Sequence, residues 1–141
     1  MRTFSHLPDL GNGAARVGQG LRVLIADDER DTVFTLGILL RSEGFDVRMT
    51  TSGSDVPGAV RDFRPDFVLL DIGMPDRNGY DLAQELRACY GDACPPLIAV
   101  TAYRNRDEKA RAKVSGFHHH VGKPYNPVGL IHLLSILKRR T

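Results

Sequence analysis

Three observations along this sequence predict an α/β fold built on a doubly wound parallel sheet of five strands. Short apolar runs alternate with longer segments of helical spacing. Two of the runs, "DFVLLD" (66–71) and "PLIAVT" (96–101), are apolar on consecutive positions, as strands covered on both faces are. Five such strand–helix pairs follow in strict alternation, which implies parallel strands joined by right-handed crossovers.

The opening stretch, "MRTFSHLPDLGNGAARVGQG", is rich in Gly, Pro and polar residues and reads as a flexible N-terminal tail over 1–20, ahead of one domain over 21–140. "LRVLIA" (21–26) is the first strand. It runs into two acids and a helical segment, "TVFTLGILLRSEG", whose Gly44 suits the position just past a helix C-terminus. "FDVRMT" (45–50) alternates as a half-buried or edge strand does. In "SGSDVPGAVRDFRP", Ser54 is expected to cap a helix, with Pro57 in the first turn, where a missing N–H does little harm. After the third strand, "NGYDLAQELRACYG" places Tyr80, Leu82, Ala83 and Leu86 at helical spacing. "NRDEKARAKVSG" is helical but thinly apolar, anchored by Ala110 and Val114, with Asp107 and Arg111 as an i, i+4 pair; such a segment suits switching. "FHHHV" is the weakest strand. "NPVGLIHLLSILKRR" ends the series, with Asn126 as cap and Pro127 as first helical residue. In that last helix Leu130, Leu133, Leu134 and Leu137 make a core stripe. Val128, Ile131 and Ile136 widen it, either as a broader core contact or as a partner or homodimer surface.

A length of 141 residues, 42% apolar and 26% charged, fits one globular domain able to close its own core. No apolar run approaches the roughly 18 residues that cross a bilayer, and the N-terminus lacks the apolar stretch of an export signal. Cys89 and Cys94 are therefore expected as reduced thiols in the cytoplasm. A net charge of +2 is too small to point to nucleic acid, and the basic end Lys138, Arg139 and Arg140 complements a helix dipole.

In sheets of this kind ligands bind outside the carboxyl ends of the strands. The first strand ends in "ADDE", bringing Asp27 and Asp28 to that edge; the third ends at Asp71, the fourth at Thr101, and Lys123 of "GKP" follows the fifth. Three carboxylates in one cleft repel one another and call for a cation. An all-oxygen, partly open site suits Mg²⁺. Lys123 adds a fixed counter-charge and Thr101 a hydroxyl donor. Metal, ammonium and hydroxyl can share the oxygens of a phosphoryl group while a carboxylate attacks in line.

With "DDE", "LLDIGMPDRNGYDL", "VTAY" and "GKP" in this order, the chain resembles the receiver domains of two-component response regulators, the CheY-like family, over roughly residues 20–140. The intervals agree as well: 43 residues from Asp28 to Asp71, 30 on to Thr101 and 22 on to Lys123. The resemblance implies a (βα)5 flavodoxin-like sheet of strand order 2-1-3-4-5. It implies that Asp71 is phosphorylated from a histidine kinase or histidine phosphotransfer protein. Mg²⁺ would be held by Asp28 directly, Asp27 mainly through water, Asp71 and the backbone carbonyl of Gly73. Thr101 would contact the phosphoryl oxygens and shift on activation, while Lys123 pairs with Asp71 or its phosphate. The peptide before Pro124 is often cis in this family, which would aim Lys123 inward. Gly73, Pro75 and Gly79 would shape the bend after Asp71. Output is expected through contacts with a downstream protein, without direct nucleic-acid or membrane binding. Asp71 would accept a phosphoryl group and slowly lose it, and the protein would not be a turnover enzyme.

Three positions depart from the family. His120 stands where an aromatic switch residue partnering Thr101 is usual; its protonation would disfavour the inward rotamer and make activation pH-sensitive. Gly73 and Tyr103 stand where polar or acidic side chains assist hydrolysis, so a long-lived phosphoryl group is expected. His118, His119 and His120 do not make a metal site on a strand, because neighbours point to opposite faces. A haloacid-dehalogenase-like hydrolase would need a second Asp where Gly73 stands. A receiver fold serving as a binding module without phosphorylation normally lacks one of the acidic or lysine positions, and all are present here. The chain stops soon after its last helix, so a stand-alone receiver or a fragment of a longer protein such as a hybrid histidine kinase is expected.

Overall fold

The computed structural model describes residues 18–101, 115–123 and 126–139. Within them lie β1 (Arg22–Ala26), α1 (Arg30–Ser42), β2 (Asp46–Thr50), α2 (Val56–Phe63), β3 (Phe67–Asp71), α3 (Gly79–Tyr90), β4 (Leu97–Thr101), β5 (His119–Gly122) and α4 (Pro127–Arg139). All five strands are parallel, in the order β2-β1-β3-β4-β5. The chain thus starts near the middle, builds one edge, then crosses over to build the other.

The consecutive apolar positions of the central strands follow from this layering. Strand side chains alternate faces, and here both faces are covered. Val68 and Leu70 enter the core beneath α2 and α3, whereas Phe67 and Leu69 enter the one beneath α1 and α4. β1 and β4 divide in the same way: Leu24, Ala26, Leu97 and Ala99 lie on the first side, Val23, Ile25, Ile98 and Val100 on the second. β5 is an edge strand whose four residues are all half-buried, which accounts for its faint sequence signal.

The helix boundaries follow local chemistry. Gly44, at φ +92°, closes α1 by donating its N–H to the Arg41 carbonyl. Asn126 Oδ1 accepts from the Val128 N–H at 2.9 Å, so Asn126 caps α4 and Pro127 opens it. Asn78 does the same for α3 through the Tyr80 N–H at 2.7 Å. Ser54 does not cap α2: it lies in a short 3₁₀ turn, Gly53–Asp55, and both its N–H and its hydroxyl are spent on Asp76. Pro57 does fall in the first turn of α2. On α4, Leu130, Leu134 and Leu137 are buried, and Ile131 and Leu133 pack half-buried against the same core. The wider core contact therefore accounts for most of the stripe, leaving Val128 and Ile136 facing outward.

Residues 18–20 are a turn rather than the end of a tail. Gly18 donates its N–H to the Glu43 carbonyl and accepts from the Leu21 N–H, and a Cβ there would collide with the Phe45 ring. The rest of the expected tail, Tyr103, Pro124 and the helix expected around 105–116 up to residue 114 lie outside the described residues; Ser115 and Gly116, at its end, form a turn. Cys89 and Cys94 are free thiols, exposed and buried respectively. Among the described residues no helix is long and apolar enough to cross a membrane.

Candidate functional site

The parallel order places the carboxyl ends of β1, β3, β4 and β5 side by side, and four of the positions singled out in the sequence meet there. Asp27 directly follows β1. Its backbone N–H continues the sheet by donating to the Thr50 carbonyl, and its Oδ1 accepts from the Glu29 N–H at 3.0 Å. Asp71 is itself the last residue of β3, opposite Val100 of β4, and the ladder runs one residue further through the Ile72 N–H to the Val100 carbonyl. The chain then turns sharply: Gly73 donates its N–H back to Asp71 Oδ1 at 3.1 Å, and Gly79 donates to the Ile72 carbonyl. Lys123 follows β5, fixed by its backbone N–H on the Thr101 carbonyl at 2.7 Å.

The side chains converge. Lys123 Nζ lies 2.9 Å from Asp27 Oδ2, 3.2 Å from Glu29 Oε1 and 3.5 Å from Asp71 Oδ2. Oxygens of Asp27, Asp28 and Asp71 all lie within 4.8 Å of one another, with Asp27 and Asp71 buried and Asp28 exposed. Three carboxylates, Asp27, Glu29 and Asp71, thus face the Lys123 ammonium, and Asp28 lies beside two of them.

The pattern of the response regulator receiver domain matches residues 23–135. This chain belongs to that family. A curated relative, the DNA-binding response regulator MtrA of Mycolicibacterium smegmatis, is 38% identical over 110 residues, 78% of this receiver and 47% of the relative. An uncharacterized 14.6 kDa protein of Leptolyngbya boryana is 30% identical over 79% of the receiver and 86% of its own length. Among solved structures, a Francisella response regulator receiver domain superposes with a TM-score of 0.80 at 24% identity, over 86% of this chain and 98% of that one, and so shares the fold. The receiver spans about half the length of the MtrA-type relatives it matches.

The electrostatics of the receiver's cleft follow from its crowding. Burial pushes the Asp71 carboxyl up to about 6; Asp27 and Asp28 push the same way, against the Gly73 N–H and Lys123. Burial alone would weaken the Lys123 ammonium, but Asp27, Asp71 and Glu29 outweigh it and hold the group above the usual lysine range. Lys123 sits closer to Asp27 than to Asp71, so the lysine bridges two strand ends instead of serving the β3 carboxylate alone. The oxygen-only donor set, partly open through Asp28 and carrying excess negative charge, fits Mg²⁺.

Of the remaining expected residues, Thr101 is buried at the end of β4, opposite Gly122, and His120 is half-buried on β5 opposite Ala99. Gly73 is exposed in the turn. The three histidines separate as expected: His118 precedes the strand, where its Nδ1 accepts from the Leu97 N–H, and it joins no metal-like cluster among the described residues. Two acids escaped the sequence reading. Glu29, visible only as the third letter of "DDE", shares Lys123. Asp76 ties the turn after β3 to the loop before α2 and has no local sequence signature.

Proposed function

We propose that this receiver is a phosphoryl-accepting switch in which Asp71 is phosphorylated, in a Mg²⁺-dependent reaction, from a histidine kinase or histidine phosphotransfer protein. The observation that carries the reading is the placement of Asp71: a buried carboxylate at a strand end, with Lys123 at 3.5 Å and two further carboxylates within 4.8 Å. In the transfer an Asp71 oxygen forms the new O–P bond as the N–P bond of the donor phosphohistidine breaks, and the electron pair leaves with the imidazole. Asp71 must be ionised to attack; without metal its elevated pKa of about 6 favours the protonated form at lower pH, and a cation held beside it would restore the carboxylate. Lys123 is positioned to balance the charge of the incoming group without leaving Asp27. Mg²⁺, held by Asp27, Asp28, Asp71 and the Gly73 carbonyl, would neutralise phosphoryl oxygens. Thr101 would donate its hydroxyl to one of them.

The product is a stored acyl phosphate, slowly lost, and not the intermediate of a turnover cycle. Gly73 offers no side chain to assist water, in keeping with a long lifetime. Phe34 and Ile38, one turn apart on α1, are exposed apolar residues suited to a protein partner, as are Val128 and Ile136 on α4. The MtrA relatives are named as DNA-binding and are about twice as long as this stretch; output from the receiver itself would pass through protein contacts. Acetyl phosphate with Mg²⁺ should raise the protein's mass by one phosphoryl group, and Asp71→Asn should abolish the gain. Equal labelling of that variant would dispose of the reading.

A further inference from the structure

The turn after Asp71 is held at three places. At its base, Gly79 donates to the Ile72 carbonyl, so closely that a Cβ on Gly79 would lie 2.6 Å from Ile72 Cα. In its middle the Met74 side chain is buried in the core beneath α2 and α3. At its tip stands Asp76, exposed, whose carboxylate gathers four donors from the opposing loop. Oδ1 accepts from the Gly53 N–H at 2.9 Å. Oδ2 accepts from the Ser54 N–H at 2.9 Å, the Ser54 hydroxyl at 2.8 Å and the Ser52 hydroxyl at 2.9 Å. The fit around this clamp is close: a Cβ on Gly53 would meet Arg77 Cβ at 2.9 Å and Asp76 Oδ1 at 3.1 Å.

Between base and tip runs Gly73–Pro75, and the Gly73 N–H is the group that orients Asp71 Oδ1. We infer that Asp76 is a positioning residue for the metal and phosphoryl site: by pinning the tip of the turn to residues 52–54, it holds Gly73 against Asp71. The inference rests on reading the Asp71 cleft as the phosphoacceptor site. It adds a support that touches neither metal nor phosphate and acts only through the backbone of the turn. It also makes the loop between β2 and α2 part of the apparatus.

The test is Mn²⁺ binding to the full chain, followed by electron paramagnetic resonance, beside thermal stability without metal. Asp76→Ala should weaken Mn²⁺ by about tenfold, the lower end for residues that orient metal ligands. Asp76→Asn, which keeps an acceptor for the Gly53 N–H, should recover part of that loss. The double variant Ser52→Ala/Ser54→Ala should weaken Mn²⁺ from the other side of the clamp, and less than additively with Asp76→Ala. Amide exchange should show the Gly73 N–H losing protection in Asp76→Ala while Leu86, deep in α3, keeps its own. A purely structural tie predicts lowered stability with Mn²⁺ affinity within about twofold of wild type, and that result overturns the inference. Should Asp76→Ala not fold, the same criterion applies to Asp76→Asn. Wild-type protein that binds no Mn²⁺, or an Asp28→Ala variant that binds it undiminished, would instead bring down the site reading and this inference with it.

Discussion

Asp71 and Asp76 belong to one turn and carry the same functional group, yet their surroundings push them in opposite directions. Asp71 is buried, faces two other carboxylates and, among the described residues, has one backbone donor and a share of one lysine; its carboxyl rises to about 6. Asp76 is exposed and receives four hydrogen bonds; those from Ser54 and Gly53 do most to hold it far below the usual carboxylate range. The difference separates two uses of an acid. A carboxylate whose donors are all supplied has no reason to react and serves as a tie. One left short of donors in a low-dielectric cleft is held ready for a cation and an electrophile.

The largest effect on this contrast should come from Lys123, among the described residues the one cation within the cleft. Lys123→Ala removes the ammonium shared by Asp27, Asp71 and Glu29, leaving two buried carboxylates without it. Breaking a buried ion network by one partner is strongly destabilising, and with Lys123 still slightly exposed about 2–3 kcal/mol is expected. Urea unfolding at pH 7 in a chelator measures it. The Asp71 carboxyl should climb further above 6, as read by carbon-detected NMR titration.

A smaller change of opposite sign is expected of Asp71→Asn. The folded protein binds a proton on Asp71 up to about pH 6, whereas the unfolded chain releases it near the ordinary aspartate value. Stability without metal therefore falls as pH rises from about 4 to about 6, and the full penalty stands above that window. Asparagine carries no such penalty and can still accept from the Gly73 N–H. Asp71→Asn should thus be more stable than wild type by about 1–2 kcal/mol at pH 7, a discounted share of the shift, with no gain near pH 4. Saturating Mg²⁺ should close the gap, because it stabilises the wild-type carboxylate. A variant no more stable than wild type in chelator would mean that the cleft is not electrostatically strained.

The same contrast explains what could be read from the sequence. The pair Asp27 and Asp28, Asp71 and Lys123 come from three distant parts of the chain, but a parallel sheet brings strand ends to one edge, so knowing where strands stop is enough to assemble the cleft. β3 and β4 announce themselves because both faces are covered and every residue is buried. β5 hides because it is a half-buried edge of four residues that includes two histidines. The Asp76 clamp follows no periodic rule. Its partners lie 22–24 residues away in a loop, and loop-to-loop hydrogen bonds leave no spacing to detect. Ser54 shows how local reasoning misleads there: as a serine just ahead of a helix it has the look of a cap, but it lies inside a 3₁₀ turn whose Gly53 and Ser54 N–H groups donate to Asp76 from another part of the chain.

The subtlest test uses pH to set the two aspartates against each other. Because the folded-state pKa of Asp76 is depressed, its contribution is fully present above the ordinary carboxylate value and fades as pH falls towards the folded one. The stability lost in Asp76→Asn should therefore be constant from neutral pH down to about 5 and shrink as the solution is acidified below about 4. Asp71→Asn should behave differently, with a gain that is absent near pH 4 and complete only above about 6. One variant changes its distance from wild type below the pH range in which the other does, and with opposite sign. If both difference curves moved through the same window, donors and burial would not be what separates these two carboxylates. Their roles as tie and reactant would then need another physical basis.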